Sequence, residues 1–102
     1  MKLNDILKGI ECEVISGSAD ITIDSLVYDS RKTTNNSLFI ALVGFNSDGH
    51  DYIDKAISMG ATAIICERDI VISNDIAVVK VKNTRDVFCQ VCSNYFGNPE
   101  KF

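Results

Sequence analysis

Two polar stretches of the sequence carry residue types that suit the binding of a nucleotide. Residues 28–31 directly follow a predicted strand, and residues 44–50 link a second predicted strand to a helix. Ser30 offers a hydroxyl, Asn46 offers an amide suited to a base edge, and each stretch has an aromatic ring on which a base could stack. This set favours a uridine-type nucleotide over a metal or a nucleophile, and two ordinary connecting loops are the competing interpretation.

The order of strand and helix also predicts where a phosphate would bind. In an open α/β sheet, ligands bind beyond the carboxyl ends of the strands, and the first N–H groups of a helix favour an anion. Asp48 is predicted to cap a helix over residues 49–59, so we expect the start of that helix to face the ligand. His50 lies in its first turn and is expected to be a solvated residue there, not a catalytic base.

The sequence shows none of the usual sets of catalytic or metal-binding residues. No glycine is followed by lysine, which excludes the G-x-x-x-x-G-K-[ST] phosphate loop, and a single histidine excludes a His-rich metal site. Cys89 and Cys92 form a C-x-x-C in the middle of a predicted helix, where Cys92 is expected to pack in the core, so redox or zinc chemistry is the weaker interpretation. We therefore predict no catalytic residue and no metal site.

Length and charge restrict the class of protein. The chain has 102 residues, of which 46% are hydrophobic and 24% are charged, and this predicts one globular domain over residues 1–102. Ten Lys and Arg against 14 Asp and Glu give a net charge of −4, so nucleic acid is not an expected partner. No apolar run approaches the about 20 residues that span a membrane, and the first residues lack the apolar region of a signal peptide. We expect a cytoplasmic protein without a membrane partner.

Alternating strands and helices must position the two polar stretches. Residues 3–10 predict a short amphipathic helix, and residues 11–15 and 21–28 predict strands. Further along, the predicted elements are a strand over 38–43 that is buried on both faces, the helix over 49–59, strands over 61–66 and 76–81, and a helix capped by Thr84 that ends before Gly97. This order predicts an α/β fold, a small mixed or parallel sheet with flanking helices.

Several motifs, in their order and spacing, resemble the N-terminal domain of the bacterial Mur ligases. They are Asp29-Ser30-Arg31, residues 38–44 (LFIALVG), residues 48–53 (DGHDYI) and residues 94–99 (NYFGNP), and the resemblance covers essentially the whole chain. Members often have Pro-Gly before the strand over 38–43. This chain has asparagines at 35 and 36 instead, and asparagine can supply a left-handed turn residue.

The resemblance implies a domain that binds the uridine diphosphate end of a UDP-N-acetylmuramoyl-peptide and needs no cofactor of its own. The residues that it carries over as substrate-binding are Tyr28, Ser30, Phe45, Asn46 and Ser47. It also implies a parent ligase that forms an amide bond, with ATP and Mg²⁺ bound by a central domain of the same chain. The domain alone is therefore expected to be inactive.

The closing residues 94–99 look most like the members that add the third residue, meso-diaminopimelate or L-lysine, to the peptidoglycan stem peptide. Two alternatives stay open. One is the related ligase that adds D-alanyl-D-alanine, and the other is a free-standing nucleotide-binding or interaction module.

Overall fold

The domain is built on a sheet of four parallel strands with an antiparallel strand at one edge. The computed structural model describes residues 1–44, 48–70, 72 and 75–97. Within them the strands are β1 (Glu13–Ser16), β2 (Ser25–Val27), β3 (Ser37–Ile40), β4 (Ala61–Cys66) and β5 (Ala77–Lys80), and the helices are α1 (Leu3–Ile6), α2 (Ile53–Ser58) and α3 (Thr84–Phe96). The strand order is β1-β5-β4-β3-β2, with β1 antiparallel to β5. The predicted fold class is confirmed.

Successive residues of the central strands pack on opposite faces of the sheet. Leu38 and Ile40 belong to one apolar cluster and Phe39 to the other, and all three are fully buried. The first cluster is covered by α1 and α3, and the second by α2. Because both faces are covered, the residues of β3 after Ser37 form an unbroken apolar run in the sequence.

Strand β2 is shorter than the sequence predicts, because another segment takes its backbone groups. Of the predicted residues 21–28, only Ser25–Val27 join the sheet. The N–H of Ile23 instead donates to the Met1 carbonyl at 2.7 Å, so the preceding residues pair with the N-terminal segment. The other strands agree with the predicted bounds to within about three residues, and β4 agrees at both ends.

The turn before β3 uses asparagine as the sequence predicts. Asn36 has a φ of 61°, in the left-handed region, where asparagine is better tolerated than most residues. Its N–H donates to the Gly60 carbonyl and its carbonyl accepts from Asp24, both at 2.9 Å. The turn therefore connects the starts of β2, β3 and β4.

Two helix starts differ from the predictions. Residues 49–52 form a 3₁₀ turn, and the α-helix begins only at Ile53. The cap of α3 is Asn83, whose side chain accepts from the Asp86 N–H, and Thr84 is the first helical residue.

Across the described part of the chain, none of the helices has the length and apolar character needed to cross a membrane.

Candidate functional site

A cavity of about 580 Å³ lies where the chain leaves β2 and β3. Because these strands are parallel neighbours, the segments that follow them emerge at the same edge of the sheet. The cavity is lined by Tyr28, Asp29, Ser30, Arg31, Leu42, Gly44, Gly49, Tyr52, Lys55 and Arg85. Both polar stretches singled out in the sequence thus contribute to one cavity, the second of them through Gly44 and Gly49.

Two of the five predicted substrate-binding residues line this cavity. Ser30 is only 6% exposed, and within the described residues its hydroxyl has no hydrogen-bond partner. Tyr28 is 62% exposed, and its ring packs edge to face against Phe88 with centroids 5.7 Å apart. The remaining three, Phe45, Asn46 and Ser47, lie outside the described residues.

The turn after β2 is closed by an ion pair between Asp29 and Arg31. The Asp29 carboxylate accepts from the backbone N–H of Arg31 at 3.0 Å, from its Nε at 3.1 Å and from its Nη2 at 2.9 Å. The side-chain hydrogen bonds of Arg31, followed by its backbone N–H, lower the pKa of Asp29 to about 2. Arg31 is therefore largely neutralised by its neighbour.

We expect Asp29 to remain ionised at pH 3, and the Arg31→Ala variant to return its pKa toward 3.8. Since the folded pKa lies below the unfolded one, the pair stabilises the fold above about pH 4, and this contribution is lost as the pH falls toward 2. An NMR titration of the side-chain carboxyl carbon measures the pKa directly. A value near 3.8 in the unmodified chain would contradict the ion pair.

The His50 side chain is buried and hydrogen-bonded on both ring nitrogens, so the expectation of a solvated residue is wrong. Its side chain is 3% exposed. Nε2 accepts from the backbone N–H of Glu67 at 2.9 Å, and Nδ1 lies 2.6 Å from the Asp48 carboxylate. An unprotonated Nε2 requires the neutral ring to carry its proton on Nδ1. His50 therefore joins the chain beside the cavity to the end of β4.

The Asp48 carboxylate contacts the His50 ring at Nδ1, on the side opposite the bond to Glu67. It also accepts from the His50 N–H at 2.9 Å and from Arg68. The backbone N–H of His50, with smaller contributions from the His50 ring and from Arg68, lowers the pKa of Asp48 below its ordinary value. The carboxylate thus stays charged and caps the segment that follows it.

The start of this helical segment is closed to an anion, contrary to the prediction. The N–H groups of Gly49, His50 and Asp51 donate to the Leu42 carbonyl, the Asp48 carboxylate and the Asp48 carbonyl, at 2.7, 2.9 and 3.0 Å. A ligand therefore finds no free amide in this turn. The amides of this turn therefore cannot balance negative charge in the cavity.

Three further lining residues with polar side chains escaped the sequence reasoning. Tyr52 and Lys55 follow Gly49 at helical spacing, so a helical-face argument starting from Gly49 could have found them. Arg85 lies at the start of α3 and reaches back to the Val43 carbonyl, 42 residues earlier. No local pattern in the sequence signals a contact at that separation.

The C-x-x-C motif gives little support to redox chemistry. Cys92 is half-buried and Cys89 is exposed, and burial raises the pKa of the Cys92 thiol. A raised pKa lowers the fraction of reactive thiolate. Among the described residues there is also no group of three His, Cys, Asp or Glu side chains that could hold a metal ion.

The fold and its cavity define an α/β domain with a cavity at the carboxyl edge of parallel strands. Residues 22–94 match the family model described as "Mur ligase family, catalytic domain". The chain therefore belongs to the Mur ligase family, in which it corresponds to the N-terminal domain. The resemblance drawn from the motifs is confirmed.

Curated relatives cover nearly the whole chain. The UDP-N-acetylmuramoyl-L-alanyl-D-glutamate–2,6-diaminopimelate ligase of Alkaliphilus metalliredigens is 45% identical over 99% of this chain and 20% of its own length. The ligase of the same name from Clostridioides difficile is 44% identical over 99% of this chain and 21% of its own length. The chain thus spans about a fifth of the length of these relatives.

Solved structures support the same fold. MurF from Acinetobacter baumannii superimposes with a TM-score of 0.79 at 23% identity, over 91% of this chain and 20% of that one. The MurF ligase from Thermotoga maritima in complex with ADP gives a TM-score of 0.60 at 33% identity, over 72% of this chain and 17% of that one. The likeness to MurF from Acinetobacter baumannii, at 23% identity, shows a shared fold and nothing more.

Proposed function

We propose that this chain binds the uridine diphosphate part of a UDP-N-acetylmuramoyl-peptide as one domain of a Mur ligase. The observation that carries the proposal is that residues 28–31 line the same cavity as Gly44 and Gly49. The exposed ring of Tyr28 suits stacking on a pyrimidine, and the Ser30 hydroxyl suits a hydrogen bond to a phosphate oxygen.

Phe45, Asn46 and Ser47 are proposed as further contacts to the nucleotide. They fall between Gly44 and Asp48, and Gly44 lines the cavity. Cationic side chains around the cavity provide the positive charge that a diphosphate needs. These are Arg31, Lys55 and Arg85.

The parent enzyme is proposed to be an ATP-dependent ligase that adds the third residue of the stem peptide through an amide bond. The names of the relatives favour 2,6-diaminopimelate over L-lysine as that residue. In this proposal the present domain supplies binding and orientation only, because an anchored nucleotide holds the distant reacting carboxylate in place.

ATP and Mg²⁺ are assigned in this proposal to a central domain of the parent chain. The residues of this chain do not fit them: the sequence lacks a G-x-x-x-x-G-K-[ST] loop, and the described residues lack a cluster that could hold a metal. Their chemistry in the parent is the activation of the peptide carboxylate.

A cytoplasmic location is also proposed, since all four cysteines are free thiols, as is typical of reducing compartments.

The ligase that adds D-alanyl-D-alanine is the competing parent enzyme. Solved structures of this ligase, named MurF, are 23% and 33% identical to the chain over 91% and 72% of its length, whereas the diaminopimelate ligases are 39–45% identical over nearly all of it. Activity of the full-length ligase with each amino-acid substrate separates the two. Incorporation of D-alanyl-D-alanine and not of diaminopimelate would overturn the assignment of the parent.

Titration of the ¹⁵N-labelled chain with UDP tests the binding proposal. We expect a dissociation constant on the order of 0.1–1 mM, which corresponds to about −4 to −5.5 kcal/mol, with shifted amides at Ser30 and at residues 44–47. A second cavity, of about 560 Å³ and lined in part by Glu11, Glu13 and Lys82, provides an internal comparison. Shifts confined to that second cavity would contradict the proposed site.

The Ser30→Ala variant is expected to weaken UDP binding by about 1 kcal/mol, the contribution of one hydrogen bond. Its backbone fold should persist, because in the described residues the hydroxyl has no partner within the chain. Ser18→Ala is the matched control, since Ser18 lies in an exposed turn outside the cavity. A dissociation constant for UDP that is equal in both variants would remove Ser30 from the site.

A further inference from the structure

The cationic side chains of the cavity differ in whether a carboxylate already neutralises them. Arg31 donates Nε and Nη2 to Asp29 at 3.1 and 2.9 Å. For Lys55 and Arg85, by contrast, the described residues supply no carboxylate partner. The uncompensated positive charge of the cavity therefore belongs to Lys55 and Arg85.

Of these two residues, Arg85 has a polar head group held by the protein. Its Nη1 donates to the Val43 carbonyl at 3.1 Å. The adjacent Thr84 is fixed as well, because its N–H and its hydroxyl each donate to the Glu67 carboxylate at 2.8 Å. A guanidinium has five N–H donors, so one bond to Val43 leaves the others for a ligand.

The two backbone amides that flank Arg85 in the chain are already engaged. At the start of α3 the N–H of Thr84 donates to Glu67, and the N–H of Asp86 donates to the Asn83 side chain. The turn at Gly49 is closed in the same way, as described above. Because a planar guanidinium can meet two phosphate oxygens at once, Arg85 matches a diphosphate better than a single ammonium does.

We propose that Arg85 binds the diphosphate of the nucleotide and, through its bond to Val43, links that phosphate to the segment that follows β3. This inference rests on the proposed function and deepens it by naming the residue that meets the phosphate charge. It predicts that Arg85 distinguishes UDP from uridine.

The test compares UDP and uridine binding to the 102-residue chain and to its Arg85→Gln variant by NMR titration. We expect the variant to weaken UDP binding about tenfold, the effect of one charge-assisted contact, and to leave uridine binding unchanged. The matched control is Lys82→Gln, which removes the same charge three positions earlier at the other cavity and should leave both ligands unaffected.

The possible outcomes separate this inference from the proposed function. If the unmodified chain does not bind UDP, the proposed function fails. If that chain binds UDP and Arg85→Gln behaves like Lys82→Gln, only the role of Arg85 fails. Equal weakening for UDP and uridine would also overturn it, because Arg85 would then act through Val43 and not on the phosphate.

A second measurement does not depend on the folding of any variant. The Nε–H resonance of Arg85 in the unmodified chain should shift on addition of UDP and remain in place on addition of uridine. An unmoved resonance at saturating UDP would overturn the proposed contact.

Discussion

Replacing Gly49 with alanine is expected to lower the free energy of unfolding by about 3 kcal/mol or more. A β-carbon at this position would lie 2.6 Å from the backbone nitrogen of Leu42 and 2.8 Å from the Cα of Ala41. Both are backbone atoms, so no side-chain rotation can relieve the overlap. Separating the two segments would also break the 2.7 Å bond from the Gly49 N–H to the Leu42 carbonyl.

Urea unfolding followed by circular dichroism measures this loss. Gly9→Ala is the matched control, because Gly9 has a left-handed φ of +78° but nothing within 4 Å of an added β-carbon. The control should cost only the about 1–2 kcal/mol of left-handed backbone strain. A smaller loss at Gly49 than at Gly9 would contradict the close approach of the two backbone segments.

The His50→Ala variant is expected to lose about 3 kcal/mol of stability. It removes a buried ring, and it leaves the Glu67 N–H without the acceptor that it finds 2.9 Å away at Nε2. The Asp48 carboxylate loses its contact with Nδ1 at the same time. Cavity formation and an unpaired buried donor therefore add to each other.

His50→Gln is the informative companion variant. Its side-chain oxygen can approach the position of Nε2 and accept from Glu67, so it should recover about half of the loss. Thermal unfolding of the two variants under the same conditions measures the difference. If both variants lie within about 0.5 kcal/mol of the unmodified chain, the buried hydrogen bonds of His50 do not stabilise the fold.

Elements with a periodic apolar pattern could be predicted from the sequence. Strand β4 could be predicted at both ends because Ala61–Cys66 is apolar except for Thr62, and α3 because its apolar spacing ends at a glycine. The turn over residues 33–37 could be predicted from its polar residues, and the comparison with the Pro-Gly of the family pointed to an asparagine in the left-handed region, which the structure places at Asn36.

Contacts between distant polar groups could not be predicted in this way. His50 was expected in solvent because its acceptor role depends on Glu67, 17 residues later, and Arg85 was not considered because Val43 lies 42 residues before it. Such pairs leave no periodic signal in the sequence. Tyr28 and Ser30 could be found from the sequence because they lie together in one short polar segment. Arg85 was missed because only the fold brings it to the cavity.

Glu67, which follows β4, connects the end of that strand both to His50 and to the start of α3. Its backbone N–H donates to His50, and its carboxylate accepts from both the N–H and the hydroxyl of Thr84. The rotational freedom of these groups is therefore lost when the chain folds, before any ligand arrives. The proposed binding of a nucleotide would then need little further ordering of Gly49 and Arg85, the cavity residues that adjoin His50 and Thr84 in the chain, and such preorganisation raises affinity without adding a direct contact.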